Sequence, residues 1–132
     1  MSRVLPILML AAGGAAGTLA RVGLAAAVQR FHGGTYPWGT FAANAAGCFL
    51  FGLFFAVLDA DHRLGPVARL ALLGGFCGAF TTFSTFAFDT ANLHSNTGLL
   101  HALGNLLLHN AVGLTLVFLG LALGGRLVPP PA

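Results

Sequence analysis

Apolar residues run along this chain in four long blocks separated by short polar or turn-forming stretches. The first extends from Val4 to Val28 and is broken chemically only by Arg21, toward its far end; Gln29 to Pro37 reads as a turn region. The second covers residues 38–58 and ends at the polar cluster Asp59, Asp61, His62 and Arg63. Pro66 then restarts a helix, because proline is tolerated in a first turn whose N–H has no partner in any case. The third block covers residues 67–93, and the fourth 99–123, before Arg126 and the Pro129-Pro130-Pro131 tail. A bilayer crossing takes about 20 mainly apolar residues. The pattern therefore predicts an all-α membrane protein: one transmembrane domain over residues 1–132, with helices at 4–28, 38–58, 67–93 and 99–123.

Composition sharpens this. Only 7% of the residues are charged, against about 25% in soluble domains, so no water-soluble globule fits. The six cationic side chains are all arginine and the three anionic ones all aspartate. The arginines are scattered, which argues against a nucleic-acid surface. Cys48 and Cys77 stand alone, without the spacing of a zinc, redox or disulfide pair. Residues 1–28 superficially resemble a signal peptide, but the remainder is just as apolar and offers no polar domain to secrete. Arg3, Arg63, Arg69 and Arg126 fall on the side of the N-terminus and Arg30 on the other, which modestly favours a cytoplasmic N-terminus.

Glycines recur four apart at Gly13/Gly17, Gly74/Gly78 and Gly120/Gly124, a spacing that lets helices approach closely in lipid. Four short helices enclose too little volume for a pathway of their own, so an oligomer is expected.

The chemistry concentrates in residues 74–86, GGFCGAFTTFSTF. Glycines, hydroxyls and β-branched threonines are poor helix formers, yet they occupy the centre of the third span. An interruption there would bare backbone groups that survive in lipid only beside protein or a hydrated cavity. Alternatively, the hydroxyls bond their own preceding carbonyls and merely bend an unbroken helix. Phe83 and Phe86 are three apart and share a face; their electropositive ring edges, with hydroxyls at Thr82, Ser84 and Thr85, suit a small anion better than a cation. Asn44, in mid-span, needs a partner or a hydrated path: it either donates to an anion or joins two helices. Arg21 either sets a positive potential at a pore mouth or snorkels to the interface.

The stretches Gly13-Gly14-x-x-Gly17-x-x-x-Arg21, Gly39-Thr40-x-x-x-Asn44-x-x-Gly47-x-x-x-x-Gly52, and Gly75-Phe76-x-Gly78 leading into Thr81-Thr82-Phe83-Ser84-Thr85-Phe86 resemble the CrcB or Fluc family of fluoride channels across nearly the whole chain. The resemblance implies a broken third helix and an antiparallel, dual-topology homodimer carrying two pores in the bacterial inner membrane, passing fluoride out of the cytoplasm. It also implies roles: Phe83 and Phe86 as pore phenylalanines, Asn44 as a donor on the fluoride path, Arg21 in the vestibule. A structural sodium ion on the dimer axis would be held by the backbone carbonyls of Gly78 and Thr81, in keeping with the oxygen preference of hard cations. Relatives often carry glycine where Ala79 stands and glutamate where Asp89 stands. They often place a tyrosine and a serine at the pore where this chain has Asn105 and His109, both still able to donate hydrogen bonds; His109 either makes conduction sensitive to pH or stays neutral, bonded to a neighbouring helix.

Other classes fit less well. A small four-helix multidrug or cation exporter needs a carboxylate in its first helix, and no acidic residue precedes Asp59. His94, His101 and His109 do not share one helix face as a metal path would require. A purely structural membrane protein leaves the Thr-Phe-Ser run unexplained. No nucleophile with a partner, acid–base pair or phosphate loop points to an enzyme or to ATP-driven transport, so fluoride would move passively.

Overall fold

The computed structural model describes residues 4–60 and 65–128, of which all regular elements are helical. In order they are α1 (Val4–His32), α2 (Trp38–Ala60), α3 (Pro66–Arg69), a π-helical stretch (Leu70–Cys77), α4 (Gly78–Phe80), α5 (Phe83–Thr97) and α6 (Leu99–Leu127). Four helical runs are long and apolar enough to cross a membrane: α1, α2, the composite run Pro66–Thr97, and α6.

The helices outrun the apolar blocks, ending at residues 32, 60, 97 and 127 rather than 28, 58, 93 and 123. Apolarity marks the depth of the hydrocarbon, whereas a helix continues until its backbone is turned aside. At α1 and α5 that happens at glycine: Gly33 and Gly34 have φ of 59° and 73°, and Gly98 has φ of 99°, a region side chains with a Cβ rarely enter. The Gly98 N–H closes α5 by donating to the carbonyls of Leu93 and His94. The α1–α2 turn is held by Gln29, whose amide donates to the carbonyls of Gly34 and Tyr36 and accepts from the Gly39 N–H. Pro66 opens α3 behind Gly65, as expected. Asp61, His62 and Arg63 of the polar cluster, with Arg3 and the Pro129–Pro131 tail, lie outside the described residues.

α2 pairs along its length with α6, and α1 with the π-helical stretch. Both contacts depend on missing side chains. A Cβ on Gly52 would strike the Val117 carbonyl, and one on Gly120 the Phe49 carbonyl; on α1, Gly13 and Gly17 press against the carbonyls of Ala71 and Phe76. Gly74 and Gly78 behave differently: both are exposed, and no backbone presses on them within the protomer. Their four-residue spacing does not make a packing seam here, and Gly75, against Leu10 and Gly13, takes that place. Few large side chains are fully buried, while α1 and α6 present outward leucines and phenylalanines such as Leu19, Leu100 and Phe118. That arrangement suits lipid, where association rests on close van der Waals packing rather than on removal of apolar surface from water.

Gly17→Leu is accordingly expected to destabilise the protein by about 1–3 kcal/mol through overpacking. Gly23→Ala, where a Cβ meets open space, should be neutral. Thermal loss of the folded species in detergent, followed by size-exclusion chromatography, distinguishes them; equal stability of the two variants would contradict the packing described.

Candidate functional site

The third span changes direction of hydrogen bonding at two residues. α4 ends at Phe80, Thr81 (φ −94°, ψ 157°) and Thr82 (φ −149°, ψ 110°) are extended, and α5 begins at Phe83. Such a step strips backbone groups of their helical partners at mid-membrane, where each unmet group costs several kcal/mol. Asn44 meets the need. Its Oδ1 accepts from the Thr82 N–H at 2.8 Å and its Nδ2 donates to the Thr82 carbonyl at 3.1 Å, so one amide pairs with one residue's backbone as a neighbouring strand would. Of the alternatives open from the residues alone, the joining role is therefore occupied, and a second N–H of the same amide remains.

Other side chains complete the step. Arg21 Nε donates to the Ala79 carbonyl at 3.1 Å, placing a cation at the last turn of α4, where the helix dipole favours one. The Thr82 hydroxyl caps α5 by accepting from the Thr85 N–H, and it donates to Thr85 Oγ1 at 2.9 Å. Thr81 Oγ1 turns back to the Cys77 carbonyl, the bond pattern anticipated for a merely bent helix, here made beside the extended residues. Gly47 of α2 admits the step, since a Cβ there would strike the Thr81 methyl.

Beside the step lies an open groove of about 320 Å³. Its walls are Asn44, Gly47, Cys48 and Phe51 of α2, Thr81 and Thr82, Phe83 and Phe86 of α5, and His109, Asn110 and Val117 of α6. The rings of Phe83 and Phe86 are 5.7 Å apart at 57°, and Phe83 is 78% exposed. The His109 ring lies 4.5 Å from Phe86 and edge-on to Phe41 at 5.2 Å.

The expected vestibule residue Arg21 and several of the expected pathway residues do not border this groove. Arg21 is occupied at Ala79, Ser84 is exposed beside the Thr82 hydroxyl, and Thr85 is turned to Thr82. Asn105, one helical turn before His109, is completely buried away from the groove: its Oδ1 accepts from the Tyr36 hydroxyl at 2.9 Å and its Nδ2 donates to Thr90 Oγ1 at 2.7 Å. Thr90 in turn donates to the Phe86 carbonyl at 2.8 Å. Burial pushes the Tyr36 phenol above its ordinary range, which keeps it a donor. The carbonyls of Gly78 and Thr81 accept no hydrogen bond from described residues.

Some partners were not anticipated from the residues. Thr40 donates to Asp89 at 2.6 Å, and Asp89 borders a second, polar cavity of about 210 Å³ with Thr35, Asn92 and Asn96. Thr40 sits one turn before Asn44, a spacing that puts both on one face of α2 and was the available signal. Tyr36, beside Trp38 at the end of a span, carried the interfacial signature of aromatic residues.

Four crossings, one of them with two extended residues at mid-span beside a groove lined by Asn44, Thr82, Phe83 and Phe86, define a polytopic membrane protein. A family model described as CrcB-like protein, Camphor Resistance (CrcB), matches residues 8–121. A Nitratidesulfovibrio vulgaris protein named fluoride-specific ion channel FluC is 48% identical over 127 residues, covering 92% of this chain and 98% of its own. Proteins of that name from Solidesulfovibrio magneticus (46% over 115 residues, 87% of this chain and 92% of the relative) and Nitrosococcus oceani (43% over 111 residues, 84% and 89%) are also similar. The chain belongs to the CrcB family.

Asn44→Ala leaves the Thr82 N–H and carbonyl unpaired. At about 1–3 kcal/mol for each buried group, the Thr82 amide should exchange hydrogen at least about tenfold faster than in the wild type, measured by mass spectrometry in detergent. Unchanged exchange at Thr82 would mean that the amide pair does not hold the step.

Proposed function

We propose that this protein is a fluoride-selective passive ion channel of the bacterial cell membrane that lets fluoride leave the cytoplasm and so lowers its toxicity. It is a channel and not an enzyme. The observation that carries this reading is the groove at the Thr81–Thr82 step, lined by the remaining Asn44 N–H and the Phe83 and Phe86 rings, in a chain whose relatives are named fluoride-specific channels.

Fluoride is small and strongly hydrated, and a path for it must replace water with donors while holding it weakly enough for release. The Asn44 amide, threonine hydroxyls and phenyl edges offer partial positive charge without a fixed cation in the groove wall. Arg21, held at the Ala79 carbonyl, adds positive potential near the step from behind it.

An antiparallel homodimer is the assembly we favour. A groove containing Asn44, Thr81, Thr82 and Asn110 would be costly if it faced hydrocarbon, and a second copy covers it. The antiparallel arrangement rests on the family resemblance, since the arginine count, Arg3, Arg63, Arg69 and Arg126 against Arg30, leans toward one orientation. The two-residue step then serves as the break in the third helix. A structural sodium ion fits the same place: the Gly78 and Thr81 carbonyls carry no hydrogen bond from described residues, and Gly78 is exposed at the protomer surface. Two copies would offer four oxygens, a donor set suited to a hard cation. When bound, the ion supplies positive charge that joins two interrupted helices; it takes no part in carrying the anion.

Reconstituted in liposomes, the protein should release fluoride and not chloride, and Phe83→Ile should slow fluoride efflux by at least about tenfold. Equal chloride and fluoride efflux, or an unaffected variant, would refute the channel assignment. Replacing sodium by a larger cation should weaken the dimer or its flux; indifference to complete sodium removal would eliminate the ion.

A further inference from the structure

One groove side chain has incomplete hydrogen bonding. His109 Nδ1 lies 3.1 Å from the Asn105 carbonyl, which can only accept, so Nδ1 carries the proton and the neutral ring presents Nε2 as a bare lone pair. Nε2 is buried and has no partner among the described residues. A buried lone pair is costly to leave unmet, and it can be met only by a donor: water, or a proton.

We infer that His109 is the proton-dependent residue of the anion path, rate-setting through its charge state; this rests on the channel reading above. With the ring neutral, a passing anion meets Phe83, Phe86 and the Asn44 amide, none of which carries a charge. Protonation turns Nε2 into a donor and places a cation in the groove, in contact with Phe86. No arginine borders that groove, so the imidazolium is its one fixed cation among the described residues. Attraction between opposite charges is several-fold stronger in a weakly solvated site than in water, and a conducting site must bind weakly enough to let go. Protonated His109 therefore holds the anion longer and slows its passage.

The surroundings permit titration. α2 presents the Phe41 edge and, in the groove wall, the Cys48 thiol. α5 presents Phe86 and, beyond it, Asp89, which already accepts from Thr40. The α1–α2 turn contributes Tyr36, committed to Asn105. On α6 itself, Asn110 is turned to the Leu106 carbonyl and His101 to the Thr97 carbonyl.

Fluoride efflux from liposomes at saturating fluoride tests this between about pH 7.5 and 5.5, with leak through protein-free liposomes subtracted at each pH. That interval covers the range in which histidine side chains ordinarily change charge. Wild-type efflux should fall about three- to tenfold on acidification, while His109→Gln, which does not titrate, should change by less than about twofold. Identical profiles for the two proteins overturn the proposal, as does wild-type efflux that stays flat or rises. If the variant does not assemble, the wild type decides alone: calorimetric fluoride binding near pH 6.5 in two buffers of different ionisation enthalpy should reveal proton uptake, and equal heats overturn the proposal. Absence of protein-dependent efflux at every pH refutes the channel reading itself and the role of His109 with it.

Discussion

Thr82 sits at mid-membrane with extended backbone, and its N–H and carbonyl have nowhere to go but to Asn44. In water such groups would be solvated at little cost; in hydrocarbon they must be paired within the protein. The reciprocal amide pair meets that constraint, and the neighbouring features follow from it. Gly47 must lack a side chain for α2 to come close enough, the Thr82 hydroxyl must cap the restarted helix, and Arg21 meets the Ala79 carbonyl on the other side of the step.

The parts of the third span on either side of Thr81 and Thr82 belong to different partners. Upstream, the π-helical stretch and α4 pack on α1, whose Gly13 and Gly17 accept the carbonyls of Ala71 and Phe76; downstream, α5 packs on α6. α2 lies between, bound tightly to α6 and touching both halves. The step is thus a junction between two helix pairs, bridged by one amide from α2. Its groove inherits a wall from each of α2, α5 and α6, which is why polar groups far apart in sequence converge there.

A second set of bonds fixes the aromatic side of the groove. The series Tyr36 to Asn105 to Thr90 to the Phe86 carbonyl ties the α1–α2 turn and α6 to the turn of α5 that carries Phe86. Asn105 is spent in this series, whereas His109, one turn on, is left with a free nitrogen beside Phe86. Two polar residues one turn apart on α6 thus meet different neighbours, Asn105 the Tyr36 and Thr90 hydroxyls and His109 the rings of Phe41 and Phe86.

Residue order alone was enough for the four crossings, because hydrocarbon thickness and apolar run length are linked by the rise of a helix. It also singled out Asn44, the Thr-Thr-Phe-Ser-Thr-Phe run and Arg21, because polar groups at that depth need partners. It could not say what those partners were. Whether Asn44 joins helices or faces a path, whether the hydroxyls bend a helix or accompany an interruption, and which glycines pack are questions of contact between elements. Gly13 and Gly17 are pressed against carbonyls while Gly74 and Gly78, with identical spacing, have only ordinary contacts. Spacing fixes the face of a helix; only tertiary structure decides what lies opposite that face, and in lipid the pairing of polar groups there determines which of them remain available to an ion.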